Sequence, residues 1–157
     1  MGGAILMRVS EDVRRQMYQE HRTLRMLEED LLDRCEEFCA SPDTVHLEQV
    51  RRLFDDFAGS LQRHFEFEEV GGYLRTVTDR RPHHDQAVKR LLAEHKDILG
   101  MLAVNQEHLR QDVTDDPECL KRFKIDFVKL MTSFDRHEVA ERELLMEVFW
   151  LEGGVAE

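Results

Sequence analysis

The stretch LQRHFEFEEV, residues 61–70, sets His64 and Glu68 four positions apart on a face that otherwise reads as helix core. The stretch FDRHEVAERELL, residues 134–145, repeats that spacing with His137 and Glu141. Both pairs continue apolar stripes. Val50, Phe54, Phe57 and Leu61 lead into His64 and Glu68, while Leu120, Phe123, Phe127, Leu130 and Phe134 lead into His137 and Glu141, followed by Leu145 and Val148. Steps of three and four residues mark the side of an α-helix that faces a core. Two further stripes each carry one inward histidine: His21 among Val13, Met17, Leu24, Leu27 and Leu31, and His95 among Val88, Leu91, Ile98 and Leu102.

Turn signals at residues 40–44 (ASPDT), 71–84 (GGYLRTVTDRRPHH) and 112–118 (DVTDDPE) separate the four stripes. Asp43 and the Asp116–Pro117 pair are helix-start chemistry, an acidic N-cap and a proline in the first turn. The expected helices are 10–40, 44–76, 83–112 and 117–150, in an all-α, up-down-up-down four-helix bundle that uses residues 1–157 as a single domain. With a rise of ~1.5 Å per residue and antiparallel neighbours, His21, His64, His95 and His137 come to nearly one height, with both glutamates within about a turn. The bundle is therefore expected to hold a central di-metal site.

The chain also repeats itself. EHRTL (20–24) parallels EHKDI (94–98), and FDDFAGSLQRHFEFE (54–68) parallels FVKLMTSFDRHEVAE (127–141), at offsets of 74 and 73 residues. One half of the bundle is a copy of the other, so the inward polar residues are related by a pseudo-two-fold axis.

Composition narrows the partners. A formal charge of −11 repels phosphate backbones and anionic membranes, and no basic patch is evident in the sequence, so neither nucleic acid nor membrane is expected as a partner. No run approaches the roughly 18 apolar residues of a membrane span, and the short apolar run near Met1 does not read as a secretory signal, so the expected location is cytoplasmic. Cys35, Cys39 and Cys119 lack metal-ligand pairing and read as reduced thiols packed as small apolar groups.

Burying four imidazoles and two carboxylates costs several kcal/mol per uncompensated group, against a total domain stability of ~5–15 kcal/mol. A metal compensates them. Histidine with carboxylate suits borderline divalent ions such as iron or manganese, and neither a thiolate set nor an all-oxygen cage is present. On a helix, His at i and Glu at i+4 project side by side, so an imidazole can bind one metal while the carboxylate reaches a second.

The order single His, HFEFE, single His, HEVAE resembles the hemerythrin-like, or HHE cation-binding, family over nearly the whole chain. The resemblance implies two iron ions, one on His21 and His64, the other on His95 and His137, with Glu68 and Glu141 bridging both and an oxo or hydroxo group completing the centre. It also implies small diatomic or peroxide ligands. The sequence departs from the oxygen-carrying hemerythrins at the third helix: they have an extra histidine one turn from its ligand, whereas the neighbours of His95 at that spacing are Leu91 and Leu99. Both irons would be left short of ligands, which fits chemistry with oxygen, peroxide or nitric oxide, in sensing, storage or detoxification, at least as well as reversible carriage. An iron donor of the iron-sulfur repair type and a metal-free helical interaction module are the alternatives. A ferritin-like centre would place Glu-x-x-His on two helices, the reverse of the order here, and HEVAE lacks the second histidine of a zinc protease.

The remaining histidines serve as controls. His46, His83 and His84 fall near helix starts, more than ~16 Å along the axis from the ligand layer, and His108 lies off its stripe, so all four read as surface residues. Tyr18 reads as an aromatic at the bundle edge. Glu69 and Glu138, next to ligands, read as solvated, with a hydrogen bond to a ligand imidazole as their other possible role.

Overall fold

The computed structural model describes residues 2–70, 74, 77, 82–111 and 117–151. Four helices account for nearly all of them: α1 (Gly2–Ala40), α2 (Thr44–Val70), α3 (Asp85–Arg110) and α4 (Pro117–Leu145). A 3-10 turn, Pro82–His84, leads into α3, and a π-helical turn, Met146–Leu151, follows α4. No strand occurs among the described residues. The architecture is the expected up-down-up-down bundle, in which α1 packs chiefly on α2 and α3 chiefly on α4.

Helix ends follow local chemistry. Asp43 caps α2 as expected: its Oδ1 accepts the backbone N–H of His46 at 2.7 Å, and its Oδ2 lies 2.8 Å from the His46 ring. At the far end of α3, Arg51 Nε donates to the Leu109 carbonyl at 3.0 Å, supplying a partner to one of the carbonyls a helix end leaves open. Residue 116, the other expected cap, and residues 71–73, 75 and 76 at the expected end of α2 lie outside the described residues. Helix α1 begins at Gly2 rather than near residue 10. The residues from Ala4 to Arg8 are acceptable helix formers, and extending a helix already nucleated costs little.

The core has two parts. The larger contains Phe54, Phe57, Phe123 and Phe127, packed largely edge to face with centroids 5.1 Å (Phe57–Phe127) and 5.4 Å (Phe54–Phe123) apart. Each such ring contributes roughly 1.5–3 kcal/mol through burial. The smaller gathers Met17, Leu74, Val77, Val88, Leu91, Leu144, Leu145 and Val148. Between the two in sequence register lie the inward histidines and glutamates. Asn105, also buried, ties α3 to α4 by donating to the Phe123 carbonyl at 3.1 Å.

Cys35 belongs to the larger core, and burial pushes its thiol up to about 12. Cys39, expected to be packed, is exposed instead. It is the outward residue of a pair one turn apart at the end of α1. The side chain of Cys119 lies outside the described residues.

Candidate metal centre

The fold brings all six inward polar residues together. His21 Nε2 faces His64 Nε2 at 3.1 Å, and His95 Nε2 faces His137 Nε2 at 3.0 Å. The ring pairs are also alike, with centroids 4.7 and 4.6 Å apart at interplanar angles of 72° and 62°. The sequence repeat thus reappears as symmetry of side chains. Glu68 lies between the pairs: Oε1 is 2.6 Å from His64 Nε2 and Oε2 is 2.6 Å from His95 Nε2. Glu141 Oε2 lies 3.1 Å from His137 Nε2. Two groups of four residues have potential ligand atoms within 4.8 Å of one another, His21, His64, Glu68 and Glu141 in one and Glu68, His95, His137 and Glu141 in the other. Both glutamates belong to both groups.

Outside this cluster each ring is backed by a carboxylate at Nδ1, and the backing residues form a closed circuit around the bundle. Glu20 of α1 lies 2.6 Å from His64 of α2. Glu69 of α2 lies 2.9 Å from His95 of α3, and Glu94 of α3 lies 2.8 Å from His137 of α4. Glu138 of α4 closes the circuit at 3.6 Å from His21 of α1, beyond hydrogen-bond length. Every backing glutamate adjoins an inward residue of its own helix. A carboxylate on Nδ1 fixes the tautomer with its proton there, turns Nε2 inward as an acceptor and raises its basicity. Glu69 therefore does more than meet solvent, and Glu138 is buried beside His21 and paired with Arg25. Glu20 and Glu94 escaped the sequence reading, although the EH pair stands in both EHRTL and EHKDI.

The donor set fits a cation. Glu68 and Glu141 are fully buried, and although imidazole nitrogens lie close, none of their four oxygens has a hydrogen bond of regular geometry. Without a cation the cluster must hold protons instead. Burial opposes the charge on His64 and His137, but Glu20, Glu68 and Glu141 outweigh it at His64, and Glu141 and Glu68 outweigh it at His137, pushing both rings up to about 10. Burial alone would raise Glu68, yet the surrounding His137, His64 and His95 hold it well below the carboxylate range. Glu141 is pushed up to about 8, by burial first and then by the Glu68 charge. His21 goes the other way, down to about 4, through burial and the neighbouring His64. These shifts favour protons on His64, His137 and Glu141, the groups a divalent ion would take.

Phenylalanines wall the cluster. Phe65 stacks on His95 with centroids 4.0 Å apart at 14°, and Phe134 meets His21 and His64 edge to face at 5.9 and 6.0 Å. His21 forms the open corner. Its side chain is 22% exposed, whereas those of His64, His95 and His137 are at most 1% exposed.

None of the control histidines joins either group. Their surroundings nevertheless differ from the surface positions expected. Only His83 is exposed; His46 and His108 are half-buried and His84 is buried. His108 pairs with Asp126 at 2.8 Å across the α3–α4 contact, and His84 lies 3.7 Å from Glu147 in the π-helical turn, an element the apolar stripes do not reveal. Tyr18 is 67% exposed rather than packed at the bundle edge.

The family described as Hemerythrin HHE cation binding domain matches residues 11–149, a span that contains all four helical stripes and all six inward polar residues. The chain belongs to that family. No curated protein and no solved structure matches it.

The circuit of glutamates makes a specific prediction. Glu20→Gln and Glu94→Gln keep the shape but lose the charge that orients and strengthens His64 and His137, so each should weaken metal binding about 10- to 100-fold. Glu138→Gln should do less, because its contact with His21 is the long one. Competition titrations with a chelator of known affinity measure the order; equal losses at all three positions would contradict it.

Proposed function

We propose that the chain is a non-haem di-iron protein whose centre reacts with a small oxidant, oxygen, peroxide or nitric oxide. The observation that carries this reading is the pair of overlapping four-residue groups that share Glu68 and Glu141. His21 and His64 would hold one iron and His95 and His137 the other, with the two glutamates reaching both. Two bound irons would supply two electrons and two Lewis-acidic positions to an oxidant placed between them.

The chain's own residues define the surroundings of that chemistry. Phe65 and Phe134 keep bulk water from the rings they contact, and Leu91 and Leu99 occupy the positions flanking His95 without offering a ligand atom. Access is through the His21 corner. Burial pushes Glu138 up to about 7 despite the opposing Arg25, so near neutral pH its carboxyl can give or take a proton beside His21. No helix among the described residues is long and apolar enough to cross a membrane. A cytoplasmic setting agrees with this and with the free thiols of Cys35 and Cys39. The family match over most of the chain supports residues 1–157 acting as one domain.

Peroxide titration of protein loaded with ferrous iron under argon tests the reading. The loaded protein should consume about one peroxide per two irons, since reducing H2O2 to two waters takes two electrons and two protons. The reaction should outrun that of the same iron free in buffer. Continued consumption with oxygen release would indicate turnover within the same reading. Oxidation no faster than that of free iron would overturn it, and transfer of the iron to an acceptor protein without oxidation would favour the iron-donor alternative.

A further inference from the structure

In a chain with a formal charge of −11, four arginines gather on one groove. The groove encloses about 800 Å³ between α1 and the end of α4, beside His21, and carries Arg14, Arg22, Arg25 and Arg142 against two carboxylates, Glu29 and Glu138. Arg25 is engaged, with its Nη2 2.9 Å from Asp135 and 3.4 Å from Glu138. Arg22 and Arg142 form no ion pair among the described residues. Among the lining residues arginines outnumber carboxylates four to two, in a chain whose overall charge is negative, and Arg142 acts electrostatically on Glu138.

The same groove also exposes large apolar side chains. Tyr18 is 67% exposed, Met26 56% and Met146 41%, and all three line it. A solvated cationic face has no need of them, and apolar surface gathered in one concavity marks a binding site. Guanidinium groups take carboxylates in a planar, bidentate fork, whereas methionine and tyrosine accept an apolar body of variable shape. The charge balance selects the size of the anion. The groove attracts one or two negative charges, while the negative field of the whole chain repels a polyanion.

We infer that this groove binds an amphipathic organic monocarboxylate, its carboxylate on Arg22 and Arg142 and its apolar body along Tyr18, Met26 and Met146. The volume lies within the ~300–1,000 Å³ usual for small-molecule sites. The site stands independently of the metal assignment, because neither arginine belongs to the histidine cluster. Its position places a bound carboxylate beside the one exposed corner of that cluster.

Calorimetric titration with octanoate tests the inference, with octanol as the neutral control of equal chain length, on purified protein both as isolated and after metal removal. Octanoate should bind saturably at one site in both forms, at least about tenfold more tightly than octanol, since the alcohol offers the arginines no charge-assisted, bidentate hydrogen bond. Arg22→Ala and Arg142→Ala, both at exposed positions, should each weaken it about tenfold, while Arg15→Ala, outside the groove, should not. Circular dichroism confirms that the variants fold. Equal affinity for octanoate and octanol, no saturable binding, or unchanged affinity in both arginine variants would overturn the inference. So would a dimer, detected by sedimentation, that excludes octanoate and dissociates in Arg22→Glu, since the groove's occupant would then be a second copy of the chain.

Discussion

Glu68→Ala should empty both halves of the centre together. One Glu68 oxygen lies 2.6 Å from His64 and the other 2.6 Å from His95, so a single side chain serves ring pairs contributed by all four helices. The loss in metal affinity should exceed the roughly 10- to 100-fold typical of removing a partner outside the ligand set. It should appear at both sites in one titration. His21→Ala should instead weaken first the site it shares with His64, leaving the His95–His137 site occupied. His108→Ala removes a half-buried ring paired with Asp126 and should leave both sites filled. Helical circular dichroism on each variant separates metal loss from unfolding. Retention of one metal at native affinity in Glu68→Ala would contradict the shared carboxylate.

Metal loading should stabilise the protein by an amount that grows with pH. In the metal-free chain His64 and His137 are pushed up to about 10 from an unfolded value near 6.5, so their contribution is fully present below about pH 6.5 and is lost as pH rises through 10. Glu141, pushed up to about 8, acts in the same direction between its unfolded value and pH 8, since the folded chain holds the proton that the unfolded chain releases. The loaded protein has exchanged these protons for metal and lacks that dependence. Its advantage over the metal-free form should therefore widen from pH 6.5 to 10. At a free metal concentration of 1,000 times Kd, mass action at one site contributes about 4 kcal/mol. Thermal unfolding of both forms across this range measures the gap. Loading near pH 7 should also release about three protons per chain, one each from His64, His137 and Glu141. A gap that narrows with rising pH would contradict the proton-filled cluster.

The bundle and its inward cluster were legible because both obey one rule, helical periodicity. His21, His64, His95 and His137 each continue an apolar stripe, and helix lengths alone bring them to one height. The repeat at offsets of 73 and 74 residues foretold that the two ring pairs would match, as they do at 3.1 and 3.0 Å. The circuit of backing glutamates was harder to read. Glu20 and Glu94 each sit one position from an inward histidine, about 100° away around the helix, which on periodicity alone points toward solvent. Their partners are rings on the next helix, and no pattern within one helix shows how far a neighbour's imidazole turns outward. The burial of His84 is likewise not legible in its own stretch of sequence; its ring lies 3.7 Å from Glu147 in the turn after α4. The groove beside His21 arises where arginines of α1 and α4 converge, a tertiary juxtaposition of residues more than 100 positions apart.

Crystals of the iron-loaded protein, measured on either side of the iron absorption edge, should show two anomalous peaks per chain, one against His21 and His64 and one against His95 and His137, with Glu68 and Glu141 in contact with both. A single peak, or none beside these four histidines in crystals whose protein was loaded to saturation, would contradict the di-iron centre.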